Sequence, residues 1–175
     1  VMDERWDTQG RSLALINNPR TLLESPAATV TNLREALNEI GAAIDSEQDI
    51  VMVYLASHGN RRHVLEIALP PLELAPLTAP ALRGLLDGAG IKWRLVVVSA
   101  CYSGGFVPAL KSDDTLILTA SHRNRPSFGC GPDSDATYFG RAWMIEALNE
   151  TTDFVTAFDA AKTRIAERED AEGYR

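Results

Sequence analysis

Three near-continuous apolar runs constrain the fold of this chain more than any other feature. They cover residues 49–57 (DIVMVYLAS), 94–100 (RLVVVSA) and 115–120 (TLILTA). Strands that are buried on both faces show this pattern, and such strands belong mainly to parallel sheets. The runs alternate with segments whose apolar residues recur at helical spacing, at residues 30–44, 78–86, 137–149 and 153–168. The alternation predicts an α/β fold with a mostly parallel, doubly wound sheet.

Two shorter apolar segments are also predicted to be strands. Residues 12–16 (SLALI) are followed by two asparagines and a proline, and residues 64–69 end at Pro70 and Pro71. The charge run at residues 167–172 is expected to be the solvated end of the last helix.

Length and charge limit the class of protein. Because 175 residues fit one domain, residues 1–175 are predicted to form a single domain. The net charge of −7 argues against nucleic acid as the main partner, although it allows a locally basic pocket.

No apolar run approaches the roughly 20 residues of a membrane span, and the first residues lack a targeting pattern. A signal or anchor upstream of Val1 is compatible with this start, and the sequence assigns neither a compartment nor an oligomeric state.

The chain has two cysteines, Cys101 and Cys130, which are too few for a disulfide framework and lack the spacing of metal ligands. Cys130 is expected to pack beneath a loop, with a regulatory disulfide as the alternative. His58 and His63 suggest a metal pair, but no third ligand follows at a typical spacing. We therefore expect no metal and no cofactor.

Reactive side chains follow two of the apolar runs at the point where each run ends. The first run leads into Ser57-His58-Gly59, and the second leads into Cys101, with Gly104 and Gly105 soon after. Sites in parallel sheets gather at the carboxyl ends of the strands, so His58 and Cys101 are expected to meet there. A thiolate beside an imidazole is a strong nucleophile, and the N–H groups of Gly59 and Cys101 are candidates for an oxyanion hole. Taken singly, Cys101 is more often explained by core packing and His58 by a surface or capping position; it is their joint occurrence, with glycines following, that favours catalysis.

The sequence around these residues resembles a known family. IVMVYLASHG at residues 50–59 and RLVVVSACYSGG at residues 94–105 look like the double signature of clan CD cysteine peptidases, which include legumains, caspases, separases and gingipains. The cysteine segment is most similar to the legumain branch, including its bacterial members. TLILTASHRNRPSFGC at residues 115–130 and ATYFGRAW at residues 136–143 resemble the segments that border and follow the legumain specificity pocket.

The resemblance implies a caspase-like three-layer α/β/α sandwich and a cysteine endopeptidase acting on a peptide or protein substrate. Cys101 would attack the peptide carbonyl to form a thioester, and His58 would act as general base and acid. Specificity for the residue before the cleaved bond, P1, would lie in a nearby pocket.

Several pocket positions depart from the legumain pattern. Legumains carry an acidic residue where this chain has Ser99, and a second acid where it has Arg141. An arginine favours a carboxylate, so an acidic P1 side chain is the hypothesis that competes with asparagine; alternatively, Arg141 faces solvent from a helix. Ser127 matches a pocket serine of the family, and Ser121 precedes it on the same loop. That loop also carries His122, Arg123 and Arg125, and it is either a substrate wall or a hydrated loop.

The start of the chain departs from the family as well. Legumains have an early strand that supplies an asparagine to orient the histidine, and no such strand is evident before Arg11. Either this N-terminal strand is missing from the segment or the chain relies on a Cys–His dyad.

Other functions remain compatible with the sequence. A transamidase or ligase of the same family would pass the acyl group to an amine, and a caspase-like interaction module would lack catalysis altogether. A serine esterase would use Ser103, since residues 101–105 resemble a nucleophile elbow and Asp114 and His122 follow in order.

Overall fold

The structure, a computed structural model, describes residues 2–128 and 136–174. The chain divides into two units, one formed by Leu13–Pro126 and the other by Val1–Ser12 with Ser127–Arg175. The predicted single domain therefore stays a prediction. Cys130 lies outside the described residues, so its expected packing is not addressed.

The helices and strands, in chain order, are α1 (Met2–Arg5), α2 (Val30–Ala43), β1 (Ile50–Ala56), β2 (Val64–Leu65), β3 (Leu77–Thr78), α3 (Ala79–Gly88), β4 (Trp93–Ser99), α4 (Val107–Leu110), β5 (Thr115–Thr119), α5 (Tyr138–Gly140) and α6 (Phe154–Ala171). Turns of 3-10 helix cover Ser103–Phe106 and Ala147–Asn149, and a π-helical segment covers Arg141–Glu146.

A parallel sheet of three strands, in the order β1-β4-β5, forms the centre of the first unit. In its register, Val53 pairs with Val96 and Val96 with Ile117. All three apolar runs are strands, so the predicted α/β fold with a mostly parallel sheet is confirmed. The sheet is flanked by helices, which is compatible with a caspase-like fold.

One face of the sheet packs against α2, α3 and α4. Leu37 of α2 and Leu82 of α3 belong to the same buried cluster as Val53 and Val96 of the sheet. Burying each such side chain stabilises the fold by about 1.5–3 kcal/mol relative to exposure. Consecutive residues Leu95–Val98 of β4 are almost fully buried, so both faces of this central strand are covered, as its sequence predicts.

The helix N-termini are placed by short polar side chains. The side chain of Thr29 accepts a hydrogen bond from the Asn32 N–H at 3.0 Å, and that of Thr78 accepts one from the Ala81 N–H at 3.3 Å. These bonds satisfy backbone donors that a helix start leaves unpaired, so α2 and α3 begin where they do.

The second unit contains the predicted C-terminal helices. The helix expected at residues 137–149 is instead divided into α5, the π-helical segment and a 3-10 turn. Trp143 is fully buried there, with its ring centroid 6.2 Å from that of Phe139. Asp153 caps α6, which continues through Ala171 and includes most of the charge run.

The prediction of a strand at residues 12–16 is wrong. These residues adopt no regular structure, and the Ile16 N–H donates to Pro26 O within a loop. An apolar segment becomes a strand only when a neighbouring backbone pairs with it, and Leu13 remains 54% exposed. In the segment 64–69, only Val64–Leu65 forms a strand, which pairs antiparallel with Leu77–Thr78. Among residues 2–12, the regular element is α1, and no strand occurs there.

None of the described helices is long and apolar enough to cross a bilayer.

Candidate active site

Strands β1 and β4 end side by side, which places the two reactive residues at one sheet edge. Ala56 pairs with Ser99 in parallel register, and the Ser57 N–H donates to Ser99 O at 3.3 Å. His58 and Cys101 follow this last pair by equal steps along their strands. His58 is exposed and Cys101 is partly buried, so both side chains are accessible from solvent.

The backbone at Gly59 touches the backbone at Cys101. A β-carbon built on Gly59 would overlap the carbonyl oxygen of Cys101 and lie 3.2 Å from the β-carbon of Ala100. Only glycine fits this close approach. Among the described residues, the Gly59 N–H donates to no acceptor, which leaves it available to a substrate oxygen.

A tight left-handed turn follows the cysteine. Tyr102 has φ 57° and ψ 20°, a conformation that costs a non-glycine residue roughly 1–3 kcal/mol and persists only where the surroundings enforce it. Here its N–H donates to Arg125 O at 3.0 Å, and its carbonyl accepts from the Gly105 N–H at 3.1 Å. The chain turns directly after Cys101, and a helical segment begins at Ser103.

Two serines hold the cysteine turn against the loop that follows β5. The Ser121 hydroxyl donates to Ala100 O at 3.0 Å and accepts from the Ser103 N–H at 3.2 Å. The Ser121 N–H donates in return to the Ser103 hydroxyl at 3.1 Å. Ser121 therefore bonds the backbone on both sides of Cys101. This geometry favours a positioning role for Ser121 over the predicted contact with substrate.

His63 supports the same turn from the other side. Its Nδ1 lies 3.2 Å from Tyr102 O, and its own backbone is left-handed with φ 57°. A β-carbon on Gly105 would overlap the His63 ring, so the glycine after the cysteine makes room for this imidazole. The sequence pattern alone suggests for His63 a metal-ligand role without a third ligand, and does not predict this contact. The signal that the sequence offers for this contact is the glycine pair after Cys101, Gly104 and Gly105.

The remaining predicted site residues are distributed over both units. Ser99 is 2% exposed at the end of β4, in the unit that contains Cys101. Ser127 is partly buried and Arg141 is exposed, and both belong to the other unit. Their predicted contacts with a P1 side chain remain predictions.

Charged groups near the turn are basic. The Arg61 Nε donates to the Tyr102 hydroxyl at 3.4 Å, and this hydrogen bond raises the pKa of the guanidinium.

Within the described parts of the chain, no group of three or more histidine, cysteine, aspartate or glutamate side chains could hold a metal ion.

A parallel α/β sheet with histidine and cysteine at the ends of neighbouring strands defines a class of protein suited to thiol-dependent acyl transfer. The model of the Peptidase C13 family matches residues 28–175, which include the whole sheet and both strand-end residues. The chain therefore belongs to the Peptidase C13 family, the legumain family of clan CD cysteine peptidases. The expected legumain-type resemblance is thus confirmed, and membership of a peptidase family implies protein substrates. A comparison with curated proteins gave no match.

Proposed function

We propose that the chain is an active cysteine endopeptidase in which Cys101 is the nucleophile and His58 the general base and acid. The observation that supports this most directly is the parallel register of β1 and β4, with Ala56 beside Ser99. It brings to one edge two residues that are far apart in the sequence. Their exposure is also appropriate, since a structural cysteine would be expected in the core.

In the first half of the proposed reaction, the Cys101 thiol gives its proton to the His58 imidazole. The thiolate attacks the carbonyl carbon of the scissile bond, and the carbonyl electrons move onto oxygen. The N–H groups of Gly59 and Cys101 would donate to this oxyanion, a type of contact worth roughly 3–4 kcal/mol of barrier in other enzymes. When the tetrahedral species collapses, the C–N bond breaks and the leaving amine takes the proton from His58.

In the second half, water attacks the Cys101 thioester while His58 accepts its proton. Collapse releases the carboxylic acid, and the proton returns to the thiolate. A family transamidase would differ only here, with a peptide amine attacking in place of water.

The serine esterase alternative is disfavoured by burial. Ser103 has no exposed surface, and its hydroxyl is engaged by the backbone and hydroxyl of Ser121. A nucleophile must reach the substrate carbonyl, and this hydroxyl cannot do so while the two loops are joined.

Covalent labelling tests the assignment. The folded protein is incubated with peptide acyloxymethyl ketones that differ at P1, and the adduct is located by mass spectrometry. We expect modification at Cys101 in the wild type and in Cys130→Ser, which removes the only other cysteine. Cys101→Ser should abolish labelling, and His58→Ala should slow it by about 10²-fold or more. Absence of labelling in every probe arm, with a native circular dichroism spectrum, would contradict the proposal.

A further inference from the structure

Two loops beside Cys101 carry a concentration of arginine. Residues 57–63 follow β1 and include Arg61 and Arg62, while residues 120–126 follow β5 and include Arg123 and Arg125. All four side chains are exposed, and all lie in the unit formed by Leu13–Pro126. We call these four residues the arginine rim. The rim is positive although the whole chain has a net charge of −7.

Three of the four rim residues contact the turn that follows the cysteine. Arg61 Nε reaches the Tyr102 hydroxyl at 3.4 Å, and Arg125 O accepts from the Tyr102 N–H at 3.0 Å. A β-carbon on Gly104 would lie 2.6 Å from the Arg123 N, so the Arg123 backbone packs on the same turn. These contacts border Cys101 with arginine-bearing segments from two directions.

Among the described residues, no carboxylate forms an ion pair with the rim. Glu66 is the only acidic residue in segments 57–66 and 120–126. Within the part of the chain that the structure describes, no ion pair involves any of the four rim arginines. By contrast, Arg83 and Arg94 elsewhere in this unit both pair with Asp87. A cationic surface whose guanidinium groups pair with no described carboxylate can bind an anionic ligand.

We propose that the arginine rim binds carboxylates of the substrate on either side of the scissile bond, so that the preferred substrates are acidic peptide segments. The inference rests on the proposed peptidase function, because it assigns the rim's ligand as the chain being cleaved. A guanidinium binds a carboxylate through two parallel hydrogen bonds, and several such exposed contacts add up to selectivity. The rim is proposed to bind substrate residues that flank P1, whereas Arg141 is proposed to bind the P1 side chain itself.

Binding to an inactive enzyme tests the rim without relying on catalysis. Cys101→Ala protein is titrated into fluorescein-labelled peptides that share one P1 residue and carry flanking Glu, Gln or Lys. By fluorescence anisotropy at low salt, we expect the Glu peptide to bind about tenfold more tightly than the Gln peptide. This advantage should shrink at physiological salt, because exposed charges are screened.

Paired substitutions locate the effect. Arg61→Gln with Arg62→Gln, and Arg123→Gln with Arg125→Gln, should each weaken binding of the Glu peptide by about three- to tenfold. The matched control is Lys92→Gln with Lys111→Gln, which removes the same charge before β4 and β5, at the opposite edge of the sheet. We expect the control to bind all three peptides as the parent does.

Equal affinity for the Glu and Gln peptides would overturn the inference, and so would an equal loss in the lysine control. An RNA oligonucleotide that displaces the Glu peptide through the same arginines would overturn the assignment to acidic peptides. If Cys101→Ala shows rim-dependent binding but the wild type is not labelled by ketone probes, the proposed function fails; the rim then still binds acidic peptides, but not as substrates. If labelling succeeds and flanking charge has no effect on binding, the rim alone fails.

Discussion

The α-carbon of Gly59 lies so close to the carbonyl oxygen of Cys101 that no side chain fits between them. This contact joins the residue after the candidate base to the candidate nucleophile. The Gly59 N–H has no acceptor in the described parts of the chain, as the proposed oxyanion-hole role requires.

Gly59→Ala should therefore impair the site. The added methyl displaces the Cys101 backbone, and we expect kcat/KM on a peptide substrate to fall by about 10²-fold or more. Gly84→Ala in α3 is the matched control, because nothing lies within 4 Å of a β-carbon there. Replacing that helical glycine should stabilise the protein by about 0.5–1 kcal/mol in urea unfolding and leave kcat/KM unchanged. Wild-type activity in Gly59→Ala would show that the contact has no catalytic role.

Ser121→Ala should lower kcat while leaving KM nearly unchanged. The substitution removes the bonds that hold Ala100 and Ser103 on either side of Cys101, so the thiol is less well oriented. We expect a loss of about 10- to 100-fold in kcat, with partial rescue by Ser121→Thr, which keeps the hydroxyl. Ser112→Ala is the control, since its hydroxyl bonds Thr115 at the start of β5. A rise in KM with unchanged kcat would instead indicate that Ser121 contacts the substrate.

The P1 preference tests the role of Arg141. On matched peptides with Asn, Asp, Glu or Arg at P1, we expect the acidic residues to give the highest kcat/KM, because a guanidinium pairs with a carboxylate. Arg141→Gln should reduce the advantage of Asp over Asn by about three- to tenfold. Preference of the wild type for Asn would refute the hypothesis and leave Arg141 as an exposed helical residue.

Asp87 provides a prediction about stability and pH. Burial acts to raise the pKa of this carboxyl, but hydrogen bonds and charge from Arg94, and then from Arg83, lower it overall. A carboxyl with a lowered folded-state pKa adds stability above its unfolded value of about 4, and that stability is lost as pH falls through the folded value. Asp87→Asn should cost about 1 kcal/mol in urea unfolding at neutral pH, and the difference from wild type should shrink at about pH 3.

Asp113→Asn is the control for this effect, because Asp113 is exposed and makes no ion pair among the described residues. It should unfold as the wild type does at both pH values. A destabilisation by Asp87→Asn that persists unchanged in acid would mean that packing, and not charge, accounts for the loss.

The strands and helix starts were the most predictable parts of the fold. A continuous apolar run such as residues 94–100 indicates a strand that is buried on both faces. This holds whichever helices pack against the strand, so the run alone predicts β4. Capping by Thr29 is equally local, since donor and acceptor are three residues apart. The prediction of a strand at residues 12–16 was wrong because a strand needs a partner backbone, and the local sequence pattern does not show whether one is present. The π-helical segment at Arg141–Glu146 also carries no signal in apolar spacing.

By itself, the sequence determined the parallel α/β class and placed His58 and Cys101 at the ends of two strands, because burial of apolar runs and the direction of parallel strands follow from local pattern. Only the tertiary structure decided how the cysteine turn is held. The close approach at Gly59, the bonds between Ser103 and Ser121 and the contact of His63 with Tyr102 join loops that are distant in sequence. Such contacts depend on loop paths that no residue specifies alone, so they appear only once the strands have brought the loops together.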